Sequence, residues 1–219
     1  MWDMTSLHTR LLTAVVAVAS ATACRGASHS APEPVQPLRT TAIATAQADS
    51  ARNPYTQADI NFMTAMIGHH AQAVEMARWA PAHGASGRVA ILAERIINGQ
   101  QDEIVTMQTW LADRRQPSPE SHGMMSHGMM MMMPGMLTEA QMHQLDQSRG
   151  GDFDLLFLSF MIQHHRGAVA MVTELFGSYG AGHDDIVFKF ASDVNVDQLT
   201  EIARMEKMLA ARLLAGSPL

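Results

Sequence analysis

Two short stretches of the chain, Met66-Ile67-Gly68-His69-His70 and Met161-Ile162-Gln163-His164-His165, carry the same donor atoms in the same order. Thioether sulfur and imidazole nitrogen are both transition-metal ligands, and thioethers favour Cu(I). On a helix turning about 100° per residue, His69 falls about 60° to one side of Met66 and His70 about 40° to the other. Phe62, Ala73, Met76 and Ala77 lie within about 80° of Met66, so the histidines share its apolar stripe. Met63 and Asp59 lie on that stripe too. The second copy repeats the arrangement with Asp154, and Leu158 takes the place of Met63. A single inward histidine is ordinarily a hydrogen-bonded core residue, and a single methionine is ordinary packing. Four imidazoles converging from two facing helices are different. Without a shared ligand they need many polar partners, each costly if missing. Met63, Met66, His69, His70, Met161, His164 and His165 are therefore candidate metal ligands.

A third stretch adds His122, Met124, Met125 and His127, then five successive methionines from Met129 to Met133, before Pro134, Gly135 and Met136. A Gly/Pro-flanked loop has no core for such side chains to fill, and exposed thioethers are open to oxidation. A soft-metal site explains them, with His122, Met124, Met125, His127, Met129 and Met130 as candidate ligands. Thioethers need no deprotonation and suit an oxidising compartment, where thiols would be lost to disulfides. The alternative is a low-complexity flexible linker. The whole chain holds 19 Met and 11 His, a joint excess that raises the weight of the metal reading.

These residues need helices to position them. The first copy runs from Asp59 through Phe62, Met66, His69, His70, Ala73 and Met76, and the second from Asp154 through Phe157, Met161, His164, His165, Ala168 and Met171, offset by a constant 95 residues. The following helices match at an offset of 98, with Gln100, Glu103, Ile104, Met107 and Leu111 answering Gln198, Glu201, Ile202, Met205 and Leu209. Inward-facing Glu103 and Glu201 would hold the far N–H of an imidazole and fix its tautomer, with Asp59 and Asp154 as further supports. Alternatively, both glutamates sit at the edge of the stripe and are solvated. Met107 and Met205 read as core.

A duplicated helical hairpin pairs with its copy into an all-α four-helix bundle over residues 55–215. Repeat 1 spans 55–113, with a helix capped by Thr56 and running to about Ala80, then a second from about Ser86 to Asp113. A Met/His-rich loop covers 117–136. A short extra helix at 138–149 follows, with Thr138 and Gln141 forming a capping box. Repeat 2 spans 152–215. No stretch shows strand alternation with turn chemistry.

The N-terminus reads as an export signal, residues 1–23. Leu11 to Ala23 is uncharged, of signal-core length, and ends in an A-x-A cleavage pattern at Ala21-Thr22-Ala23. Cys24, the only cysteine, follows directly. It is either a lipidated residue of a bacterial lipoprotein box or a bystander at a plain cleavage site. Residues 24–54, rich in Ala, Pro, Ser and Thr, form a disordered tether. The expected location is periplasmic, or lipid-anchored in a bacterial cell envelope, with membrane contact only through that anchor. No later segment is expected to be long and apolar enough to cross a membrane.

The net charge of −6 and the lack of a basic run argue against a nucleic-acid partner. Structural zinc would want several cysteines or regularly spaced histidine pairs such as H-x3-H, and neither pattern is present. Di-iron bundles use Glu-x-x-His, which does not occur, so a metal-dependent redox enzyme is the weaker alternative. A structural or interaction bundle with a buried histidine network is another. There is no Ser/His/Asp context, phosphate loop or H-E-x-x-H.

At Phe62-Met63-x-x-Met66-Ile67-x-His69-His70, at Phe157-Leu158-x-x-Met161-Ile162-x-His164-His165, and at the two Gln-x-x-Glu-Ile-x-x-Met stretches, the chain resembles the domain of unknown function 305 family. The resemblance covers about Asp59 to Leu209. It implies a ferritin-like four-helix bundle, and some members are similar to periplasmic copper-binding proteins. It does not extend to the Met-rich loop. The expected function is binding of copper, Cu(I) first, for sequestration, tolerance or transfer. Another transition metal, and an unidentified metallochaperone or efflux partner, are compatible with the same residues.

Overall fold

The structure, a computed structural model, describes residues 54–119 and 133–216. The leader, Cys24, the tether and His122, Met124, Met125, His127, Met129 and Met130 lie outside the described residues. Five helices follow one another: α1 (Gln57–Arg78), α2 (Gly87–Asp113), α3 (Glu139–Gln147), α4 (Gly150–Gly177) and α5 (Asp185–Gly216). No strand occurs among the described residues. The chain is all-α, with four long helices forming a bundle from two hairpins, α1–α2 and α4–α5. α3 is the short extra helix, opened by the expected box between Thr138 and Gln141.

Local signals set the helix ends. Thr56 caps α1 by accepting from the Asp59 amide, and Asp59 accepts in return from the Thr56 amide at 2.6 Å. α1 stops at Arg78, short of the expected Ala80. The residue before a proline is pushed out of the helical region, so Pro81 unwinds the preceding turn. Gly84, at a φ of +67°, then reverses the chain toward α2.

Asp59 and Asp154 have another role than the expected support of histidines. Asp59 Oδ1 accepts from the Gly182 amide at 2.7 Å, in the loop joining α4 to α5. Asp154 Oδ1 accepts from the Ser86 amide at 3.0 Å, in the loop joining α1 to α2. Each aspartate is buried and ties the start of its hairpin to the turn of the other. A carboxylate at a helix N-terminus suits both the free amides and the dipole there.

The apolar core is in two parts. One joins Phe62, Met63, Met66, Met107, Trp110, Val172 and Phe190. The other joins Met76, Leu92, Ile96, Phe153, Phe157, Met161 and Met205. Between them, at the middle of all four long helices, lies a layer of buried polar side chains: His69, His70, His164, His165, Gln100 and Gln198. Contrary to the sequence expectation, α4 is long and apolar enough to cross a membrane. The apolar faces that make it so turn inward, with 56% of that window buried in the bundle.

Replacing Asp59 with alanine removes half of a capping box and leaves the buried Gly182 amide without an acceptor. We expect a loss of roughly 2 kcal/mol of stability, read as a lower urea midpoint at unchanged slope.

Candidate metal centre

The histidine pairs sit one helical turn beyond Met66 and Met161, the distance at which side chains on one face become neighbours. α1 and α4 face each other there. His69, His70, His164 and His165 are all fully buried. The His69 and His164 rings lie 3.8 Å apart, centroid to centroid, tilted by 40°. His70 and His165 flank them, with centroids 6.4 Å from His69 and 6.3 Å from His164 respectively. Met63, Met66, Met161, Met107 and Met205 are buried above and below the layer.

Glu103 on α2 and Glu201 on α5 reach this layer from the other side. His165 Nε2 lies 2.7 Å from Glu201 Oε2 in hydrogen-bond geometry. His70 Nε2 lies the same 2.7 Å from Glu103 Oε2, off the hydrogen-bond direction. Each glutamate side chain keeps about a fifth of its surface exposed, 20% for Glu103 and 19% for Glu201. Both glutamates sit at the rim of the layer, each with one oxygen 2.7 Å from a ring nitrogen.

The remaining nitrogens decide what the layer can do. His69 Nε2 donates to the Pro134 carbonyl at 3.0 Å. A carbonyl only accepts, so the neutral His69 ring carries its proton on Nε2 and a lone pair on Nδ1. His165 Nε2 donates to Glu201 Oε2. All four Nδ1 atoms, and His164 Nε2, are buried with no hydrogen-bond partner. Burial first, and then the neighbouring His70, pushes His69 down to about 3. Burial, then His69 and His165, holds His164 well below its ordinary value. Neutral rings with unused lone pairs are what a metal ion requires, since protonated imidazole cannot ligate. No group of three His, Cys, Asp or Glu donors is gathered around one point among the described residues. The donors fit a soft ion in kind, and sulfur has to complete the set.

The described end of the Met-rich loop packs onto this layer. Met133 is partly buried against the core and Met136 is buried, so part of this stretch does have packing to make, contrary to the sequence reading. Gly135, at a φ of +76°, crosses Gly167 of α4 so closely that a Cβ on Gly167 would meet the Pro134 oxygen at 2.0 Å. Gln72 clamps both the amide and the carbonyl of Leu137, at 2.8 and 3.1 Å. Gln163 reaches the Gly135 carbonyl at 3.4 Å. Sequence reasoning missed these residues. A signal for them exists where the copies differ, since Gly68 and Gln72 in the first stand where the second has Gln163 and Gly167.

The family model described as domain of unknown function (DUF305) matches residues 59–209. Among solved structures, the chain is 31% identical to a DUF305 protein of Streptomyces coelicolor described as secreted, covering 71% of this chain and 92% of that one, with a TM-score of 0.60. It is 30% identical to a DUF305 fragment from Deinococcus radiodurans, covering 72% and 99%, with a TM-score of 0.63. It is 29% identical to CopM in a Cu(II)-bound form, covering 70% and 96%, with a TM-score of 0.56; a Cu(I)-bound form of CopM also matches. No curated protein matches the chain.

Two outcomes follow from the layer. His69 is depressed in the folded state, so the unfolded chain binds the extra proton between about pH 6.5 and pH 3, and stability falls as pH drops through that window. For His69 alone, lowering the pH from 7 to 5 should cost about 2 kcal/mol in the metal-free protein, and His69→Gln should flatten the profile of melting temperature against pH. Gly167→Ala should lift the loop end away, read as faster hydrogen exchange at the Leu137 amide, with a stability loss of roughly 1–3 kcal/mol.

Proposed function

The chain belongs to the DUF305 family, and on that premise we propose that it is an exported copper-binding protein that holds Cu(I) in the histidine–methionine layer. The observation that carries this reading is the set of four buried imidazoles whose Nδ1 atoms have no partner. A buried polar atom without a partner costs about 1–3 kcal/mol, and a bound metal removes that cost for every lone pair it engages. His69, His70, His164 and His165 supply the nitrogens, and Met66 and Met161, one turn away, supply sulfur. Met63, beside Met66, is a further donor on the first copy only. Glu103 and Glu201 orient the outer rings.

Copper is favoured over harder metals by the thioethers. Support also comes from the likeness to CopM, solved with Cu(I) and with Cu(II). The Met-rich stretch, with His122, Met124, Met125, His127, Met129 and Met130, is joined directly to Met133 and Pro134, which lie on the histidine layer. In this reading it captures metal and passes it to the rings. Export agrees with the leader and with the secreted relative. Cys24 would carry a lipid anchor at the envelope.

The test is competition of the metal-free protein against a chromophoric Cu(I) chelator under reducing, anaerobic conditions. Wild type should withdraw copper from the chelator. Joint His69→Ala and His164→Ala replacement should weaken this at least tenfold, and deletion of residues 122–132 should slow loading while the final occupancy of the layer stays the same. A chelator left fully loaded by wild type would falsify the reading. Loss of all binding in the deletion alone would make the histidines a structural network.

A further inference from the structure

The end of the bundle where α4 turns into α5 carries a cluster of exposed rings. Phe176, on the last turn of α4, is 42% exposed, and Phe188, on the first turn of α5, is 57% exposed. Tyr179, in the turn between them, is fully exposed. The Phe176 and Phe188 rings lie 5.8 Å apart, centroid to centroid. Phe176 also folds against the turn, where a Cβ on Gly182 would meet its ring at 2.9 Å. Apolar side chains scattered singly over a surface are ordinary, whereas rings gathered and held together mark a contact surface. We propose that this end of the bundle rests on a phospholipid surface, the one to which Cys24 is anchored, with the three rings at headgroup level.

The chain enters the bundle at this same end. Tyr55 packs edge-on against Trp110, with centroids 5.5 Å apart. A Cβ on Gly180 would lie 3.7 Å from the Thr56 side chain, and Asp59 holds the Gly182 amide. With Cys24 read as a lipid anchor, on which this orientation depends, residues 24–54 are its tether. An unstructured chain of about 30 residues spans on the order of 30 Å. A helix of 28 residues such as α4 is about 42 Å long. Such a tether favours this end of the bundle over the far one.

The residue types suit lipid. Tyrosine joins an apolar ring to a hydroxyl that stays wet, a combination enriched at membrane–water boundaries. Charge does not select the surface. Arg114 is held by Asp184 and Lys189 by Asp193, and exposed Asp113 and Asp185 offset Arg115. A zwitterionic bilayer is therefore sufficient. Three rings bind weakly by themselves, but a tether to the same surface makes their contact intramolecular, at an effective concentration on the order of millimolar. The helices then stand on the surface by one end. The histidine layer, and the cleft of about 200 Å³ that Glu103 and Glu201 line between α2 and α5, are held at mid-height, clear of lipid.

Cys24 is the only cysteine, so the chain from Cys24 onward can be coupled through it to a maleimide lipid in phosphatidylcholine vesicles. Tyr179→Trp is the reporter, and Ile91→Trp, an exposed position near the start of α2 at the far end, is the control. Trp79 and Trp110 are common to both. With brominated lipid, Tyr179→Trp should be quenched about twofold more than Ile91→Trp, with its emission shifted to the blue. Adding Phe176→Ser and Phe188→Ser, both at exposed positions, should bring Tyr179→Trp down to the level of Ile91→Trp while far-ultraviolet circular dichroism is unchanged. Equal quenching of the two reporters, or quenching that survives the paired serines, overturns the orientation. Cys24 without lipid in protein recovered from the bacterial envelope overturns the anchor reading and the orientation with it, and the vesicle result tells the two failures apart.

Discussion

Everything in this bundle is arranged around four imidazoles that must stay dry at its centre. Burial makes the charged form of the inner pair, His69 and His164, unfavourable, so both are held neutral. A neutral ring still has two nitrogens to satisfy, and the interior supplies partners for only some of them. Glu201 and Pro134 each take one N–H, and Glu103 sits against His70. What is left is a set of lone pairs with nothing to accept.

Such a layer can exist only because the apolar clusters on either side are large enough to offset it. Phe62, Met66, Met107 and Trp110 on one side, and Ile96, Phe157, Met161 and Met205 on the other, exclude water from the rings without bonding to them. The aspartates at the hairpin starts do a related job at the ends. By joining each helix start to the opposite turn, Asp59 and Asp154 fix the depth at which α1 and α4 face each other, and with it the meeting of His69 and His164.

Much of this is legible in the sequence, because periodicity and caps are local signals. The stripe through Phe62, Met66 and Ala73 places the histidines inward, and Thr56 and Thr138 mark helix starts. Asp59 and Asp154 show the limit of that logic. The helical wheel puts them on the correct face but not at the correct height, and their partners, Gly182 and Ser86, are contacts across the bundle that no local pattern encodes. The loop end is similar. Its composition announces donors, while its docking depends on Gly167 leaving room for Pro134, a close approach visible only once two distant segments are side by side. The cleft between α2 and α5 depends on which helices fail to meet, and that is set by the whole packing.

The single carbonyl of Pro134 has one more implication. The two helical Met-x-x-His-His turns are nearly identical in sequence, yet only His69 receives that carbonyl, while both nitrogens of His164 are without a partner. A twin pair of turns is thereby made unequal by one backbone oxygen from outside both. His69 has a fixed tautomer and a ring pinned in place by an oxygen from outside the helical hairpins. The same residues are therefore presented in two different surroundings, one of them fixed by a segment that neither repeat contains.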